Sequence, residues 1–121
     1  MTKKGTHNYV NDSRNEHIKI YINGTIISRE NARISVFDSG FLLGDGVWEG
    51  IRLHNGHLCF ADEHFDRLIN GAKQLKINIG KTKTELINIV KSVHISMLCM
   101  YKTIFGGAFS SSSIMIICKK N

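Results

Sequence analysis

Two stretches of this 121-residue chain hold side chains able to do chemistry. In the first, Trp48 and Arg52 stand four residues apart within Val47 to His54, a run with the β-branched and aromatic content of a strand. Strand alternation puts Trp48, Gly50, Arg52 and His54 on one face, and Val47, Glu49, Ile51 and Leu53 on the other. The α-carbons of Trp48 and Arg52 are then about 13 Å apart. An aromatic ring and a fixed cation on one wall suit a carboxylate ligand. The competing reading makes Trp48 a core residue and pairs Arg52 with Glu49 or Asp45 at the surface, and composition alone favours it. In the second stretch, Glu63-His64-Phe65-Asp66-Arg67-Leu68 gathers acids, a histidine and a base into little more than one helical turn. His64 beside Asp62 or Glu63 suggests a metal, but no second histidine follows four residues on, which excludes a zincin-like helix. The helical wheel places Arg67 off the apolar stripe, the position of a solvated charge.

The remaining candidates carry less. Gly44-Asp45-Gly46 is neither GxGxxG nor a P-loop; it reads as a tight turn before it reads as a phosphate cradle. His54 and His57 flank Asn55-Gly56 and read as exposed hairpin residues. No GxSxG, recognisable Cys-His pair or paired-carboxylate signature is present. The residues by themselves define an α+β module with one possible anion-binding wall.

The elements that must position these groups follow from periodicity. Residues 1–16 are polar and read as a flexible tail. Ile18, Ile20 and Ile22 alternate with polar residues up to Asn23-Gly24, a type I′ hairpin signal, and Thr25 to Ser28 returns as the partner strand. Arg33 to Phe37 reads as a third short strand, Asp38 to Gly46 as a glycine-punctuated loop, and Val47 to His54 as the next strand. Asn55-Gly56 is a second hairpin signal, leading into His57 to Phe60. The period then becomes helical: Phe65, Leu68, Ile69, Ala72 and Leu75 share a stripe, with Asp62 and Glu63 at the helix start and Gly71 a mild weakening inside it. Thr82-Lys83-Thr84-Glu85 is a capping box, followed by the stripe Leu86, Ile89, Val90, Val93 and Met97. Leu98 to Tyr101 can extend this helix, and Gly106-Gly107 stops it. Ser113 to Cys118 has strand character, but nothing downstream to pair with. Strands followed by two helices on one face of an antiparallel meander make an α+β domain over residues 17–97, with 98–121 a divergent tail.

Composition narrows the function classes. An apolar content of 42% is too high for a wholly disordered chain. The three cysteines, Cys59, Cys99 and Cys118, lie far apart, which argues against a disulfide framework or zinc ribbon and for a reducing, cytoplasmic setting. The net charge is +6, and half of it comes from Lys102, Lys119 and Lys120, which have no acid among them after residue 97. That distribution suits solvated surface and tail rather than a nucleic-acid face. The stretch from Thr103 to Cys118 falls short of the ~20 residues of a membrane span, and no secretory signal opens the chain.

Several ordered runs resemble one known family. Val36-Phe37-Asp38-Ser39-Gly40-Phe41-Leu42-Leu43-Gly44-Asp45-Gly46-Val47-Trp48-Glu49-Gly50-Ile51-Arg52 is similar to the N-terminal signature of the class IV aminotransferases. These are the fold-type IV pyridoxal phosphate enzymes: branched-chain and D-amino-acid transaminases and aminodeoxychorismate lyase. Glu63 to Leu68 with Ala72 and Leu75 resembles the family's first helix, and Tyr21-Ile22-Asn23-Gly24 its opening hairpin. The resemblance spans residues 18–97. It implies the small N-terminal domain of a fold-type IV enzyme, with pyridoxal 5'-phosphate as cofactor, an amino acid and a 2-oxo acid as substrates, and a homodimeric parent. It implies that Arg67 binds the cofactor phosphate, a role suited to its guanidinium fork. Trp48 and Arg52 would line the substrate pocket. Leu43 stands where some branched-chain members carry a tyrosine, and His64 becomes a structural partner.

The string Glu49-Gly50-Ile51-Arg52 leans toward the branched-chain members. The family's Schiff-base lysine and the carboxylate that keeps its cofactor ring protonated belong to a C-terminal domain beyond the resemblance. The family's Arg-bearing strand with a Thr-Arg-Gly-like turn is replaced by Tyr101-Lys102-Thr103-Ile104-Phe105-Gly106-Gly107. Lys102 matches no family motif, so no catalytic residue is assigned. The expectation is an N-terminal part of an aminotransferase that is inactive as this chain alone. The alternative is a non-catalytic remnant that binds a phosphorylated ligand or a protein.

Overall fold

The computed structural model describes the backbone of residues 17–105 and 111–119 and the side chains of residues 17–95. The expected tail of residues 1–16 lies outside the described residues. The first hairpin pairs β1 (Lys19–Ile22) with β2 (Thr25–Ser28), with Lys19 opposite Ser28 and Ile22 opposite Thr25. Asn23 and Gly24 both take positive φ, 49° and 94°, as a type I′ turn requires. One 3-10 turn, Arg29–Asn31, follows.

Residues 33–37 form no strand. Ser35 explains the departure: its hydroxyl accepts from the Phe37 N–H at 3.1 Å and its carbonyl from the Asp38 N–H at 3.1 Å. These local bonds turn the chain, and the alternating Ile34 and Val36 stay exposed with Phe37. The expected glycine loop contains a short helix, α1 (Ser39–Leu43). The Asp38 carboxylate accepts from the Phe41 N–H at 3.2 Å and caps its start. Gly44, at φ 73°, ends it in the left-handed conformation, so this glycine serves as a helix cap.

The second sheet is built on β3 (Gly46–His54). The Asn55-Gly56 turn, with φ of 47° and 79°, returns it into β4 (His57–Leu58), which pairs only with Leu53 and His54. The helix α2 (Ala61–Gln74) lies on β3, and α3 (Lys83–Phe105) packs against α2 and β1. The strand β5 (Ser111–Lys119) pairs antiparallel with β3 over its whole length, from Gly46 opposite Lys119 to His54 opposite Ser111. The strand order is thus β4-β3-β5, beside a separate β1-β2 sheet. The strand expected near Ser113 to Cys118 finds its partner upstream, because β4 uses one edge of β3 and leaves the other open. Residues 98–105 are likewise the end of α3.

The core forms where α2 and α3 close over the inner face of β3. Ile51, Phe65, Leu68, Leu86 and Val90 are buried together, with Val47, Leu58 and Ile69 packed around them. The helical stripe that buries Phe65, Leu68 and Ala72 also brings Gly71 against β3: a methyl group on Gly71 would meet Val47 at 3.4 Å. That distance is an ordinary contact, so the glycine lies against the strand without being required there by space. The capping box forms as its sequence requires, with Thr82 N–H donating to Glu85 Oε2 at 2.7 Å and Glu85 N–H to the Thr82 hydroxyl at 3.2 Å.

Candidate functional site

Alternation along β3 aims Val47, Ile51 and Leu53 into the core, and Glu49 with them. Glu49 retains only 7% exposure. A carboxylate placed there needs ionic partners to offset its lost hydration. The first turns of α2 supply them. Arg67 Nε donates to Glu49 Oε1 at 2.5 Å, and Arg67 Nη2 donates to Oε2 at 2.6 Å, a side-on pair. His64 Nδ1 lies 2.8 Å from Oε2. An ionised carboxylate can only accept, so Nδ1 carries the hydrogen of that bond. The approach of Arg67 Nη2 to His64 Nδ1 at 3.2 Å is then a contact between two donors rather than a second bond. His64 and Arg67 are three residues apart, one helical turn, and both meet the same carboxylate.

The electrostatics follow from this geometry. The Arg67 hydrogen bonds hold the Glu49 carboxyl at about 2, well below its ordinary 4.5; burial opposes this and the His64 bond adds to it. The same bonds raise the pKa of Arg67. The Arg67 side chain is nonetheless 67% exposed, and its bonds to Glu49 use only Nε and Nη2.

Trp48 and Arg52 lie on the outer face of β3, away from α2. Trp48 is 67% exposed, so it is not a core residue. Arg52 and Glu49 point to opposite faces, which rules out the surface pair between them; Glu49 is bound by Arg67 instead. Leu43 ends α1 and is 75% exposed. His54 and His57 are both exposed on the hairpin. The structure therefore unites Arg67 with Glu49 and His64, and puts Trp48 and Arg52 together on the other side of the strand. The sequence puts Glu49 on the face of Val47, Ile51 and Leu53 and offers it only as a surface partner for Arg52, not for Arg67. The available signal was an acid at a position whose neighbours on that face are Val47, Ile51 and Leu53. Among the described residues no group of His, Cys, Asp and Glu is arranged to hold a metal, and no helix is long and apolar enough to cross a membrane.

Relatives share both the sequence and this arrangement of elements. The chain is 49% identical over 73 residues to a protein of Methanocaldococcus jannaschii provisionally assigned as a branched-chain-amino-acid aminotransferase, covering 60% of this chain and 25% of that protein. It is 39% identical over 75 residues to the D-alanine aminotransferase of Staphylococcus haemolyticus, covering 62% and 27%. The crystal structure of the T.th. branched-chain amino acid aminotransferase superposes with a TM-score of 0.66 at 26% identity, covering 84% of this chain and 32% of that one. The same enzyme complexed with N-(5'-phosphopyridoxyl)-L-glutamate gives 0.64 at 27% identity, covering 82% and 31%. No protein-family model matches the chain. The chain spans about a quarter of the length of these curated relatives. It resembles the class IV aminotransferases of the branched-chain and D-amino-acid group over part of its length, and its α+β fold is that of their small N-terminal domain.

Proposed function

We infer that this chain is the N-terminal part of a pyridoxal 5'-phosphate-dependent aminotransferase, of branched-chain type, and that Arg67 is its phosphate-binding residue. One observation carries the reading: an arginine fixed by a buried carboxylate along one edge, on a side chain that is still 67% exposed. That donor set fits a phosphate dianion. Two of the five guanidinium N–H groups are committed to Glu49, and a fork of charged donors remains. When bound, the cofactor supplies the carbonyl carbon that accepts the amino group and the ring that takes up the electron pair. The chain's own residues bind and orient. Arg67 holds the phosphate, Trp48 and Arg52 line the side that receives the amino acid and the 2-oxo acid, and Leu43 makes that pocket apolar where a tyrosine would make it polar.

The two groups of residues sit on opposite faces of β3, and one ligand can meet both only around an edge of that strand. Along Gly46 to Ile51 no described strand covers the edge on the β4 side, which supports a ligand lying across it. By resemblance, the lysine that bonds covalently to the cofactor belongs to the C-terminal domain, and the homodimer to the whole enzyme. These 121 residues by themselves therefore transfer no amino group.

Binding of pyridoxal 5'-phosphate by the chain, followed by fluorescence, tests the phosphate role: Arg67→Ala should abolish it, and equal binding by both forms would sink the assignment. Mixing the chain with the cofactor, leucine and 2-oxoglutarate should yield no glutamate. Formation of glutamate would overturn the inactivity.

A further inference from the structure

We propose that Glu49 is a positioning residue for Arg67: its buried carboxylate holds Nε and Nη2, so that the edge bearing Nη1 faces outward as a preformed fork for a phosphate. The proposal rests on the reading of Arg67 as the phosphate-binding residue. An exposed arginine ordinarily samples many rotamers, and a ligand must freeze them on binding. Here folding has already fixed the side chain through bonds of 2.5 and 2.6 Å. The anchor is itself rigid. Glu49 lies on the strand that also carries Ile51, a fully buried residue, and its Oε2 accepts a further bond from His64 Nδ1 at 2.8 Å. The whole unit is thus tied to the β3–α2 contact, which carries Ile51, Phe65 and Leu68 of the core.

A carboxylate beside a cation can also act in the opposite sense. A plain counter-ion competes with an incoming anion, and its removal strengthens anion binding. A positioning carboxylate keeps its bonds while the anion occupies the free edge, and its removal weakens binding. The geometry favours the second behaviour, because the pair uses only the Nε–Nη2 edge and leaves Nη1 outside it.

The decisive experiment is a titration of the 15N-labelled 121-residue chain with inorganic phosphate. It follows the Arg67 Nε–H resonance, identified by its loss in Arg67→Lys. That resonance should be protected from exchange before phosphate is added and should stay so at saturation. Glu49→Gln should bind phosphate about tenfold more weakly, by analogy with the loss of an outer partner that orients a metal ligand. If the wild-type chain and Arg67→Ala bind phosphate equally, the phosphate-binding reading falls and the positioning role with it. If Arg67→Ala alone loses binding, but phosphate displaces Glu49 from Nε–H or Glu49→Gln binds as tightly as the wild type, the reading of Arg67 stands and the positioning role is overturned. Should Glu49→Gln fail to fold, the wild-type Nε–H resonance at saturating phosphate still decides between the two.

Discussion

Glu49 keeps its charge on an otherwise apolar strand face because Arg67 and His64 reach it from one turn of α2. That pairing fixes how this part of the molecule responds to acid. The folded carboxyl titrates near 2 and the ordinary one near 4.5, so between those values the unfolded chain binds more protons than the folded chain. The pair's contribution to stability is therefore complete above the higher value and is lost as pH falls toward the lower one. Urea midpoints measured across that interval should drop steeply for the wild type and more gently for Glu49→Gln; parallel curves would show that the pair contributes nothing. The apolar residues around it give a larger effect at neutral pH. Phe65 is fully buried between α2 and β3, and Phe65→Ala should destabilise the chain by about 3–5 kcal/mol in urea denaturation, through lost burial and the cavity left behind. A loss below about 1 kcal/mol would mean that the site collapses around the gap or is not core at all.

At the scale of elements, the N-terminus of α3 is fastened twice. The Thr82–Glu85 capping box satisfies two of its free N–H groups. Lys83 also reaches back to Asp62 at 2.8 Å and Asp66 at 2.9 Å on α2. Both acids raise the pKa of Lys83. Thr82→Ala should cost about 1 kcal/mol, measured by chemical denaturation, since the helix loses its cap. Lys83→Ala should cost less, and its effect should shrink on raising the salt concentration, because both acids are largely in water and only the lysine is half-buried. A salt-independent loss would point to packing of the Lys83 stem instead. Both hairpins and the capping box were legible in sequence because each is a local arrangement: an Asn-Gly pair tolerates two positive φ angles, and a threonine three residues before a glutamate can cap in either direction. Residues 33–37 misled for the same reason. Their alternation is genuine, but a strand needs a neighbour, and the Ser35 turn bonds removed the segment from any sheet.

The whole molecule leaves much apolar surface uncovered between residues 34 and 48. Ile34, Val36, Phe37, Phe41, Leu42, Leu43 and Trp48 are all exposed. Apolar surface concentrated in this way is characteristic of an interaction face. Sedimentation of the 121-residue chain should therefore show reversible self-association with rising concentration, weakened by Phe41→Lys; a monomer at all concentrations would refute this. The sequence by itself determined the two hairpins, the alternating faces of β3, the buried stripe of Phe65, Leu68 and Ala72 on α2, Leu86 and Val90 on α3 and the resemblance to class IV aminotransferases, since each is written within a few turns or a few residues of chain; Leu75, expected in the α2 stripe, lies past the helix end and is exposed. Only the tertiary structure decided the rest. It brought Ser111–Lys119 back to the open edge of β3, far upstream in the chain. It gave Arg67, still a largely exposed helical charge, a buried partner in Glu49, 18 residues away. Side-chain periodicity says which face a residue occupies; it cannot say which other element will be folded against that face, and pairings between distant segments depend on that closure.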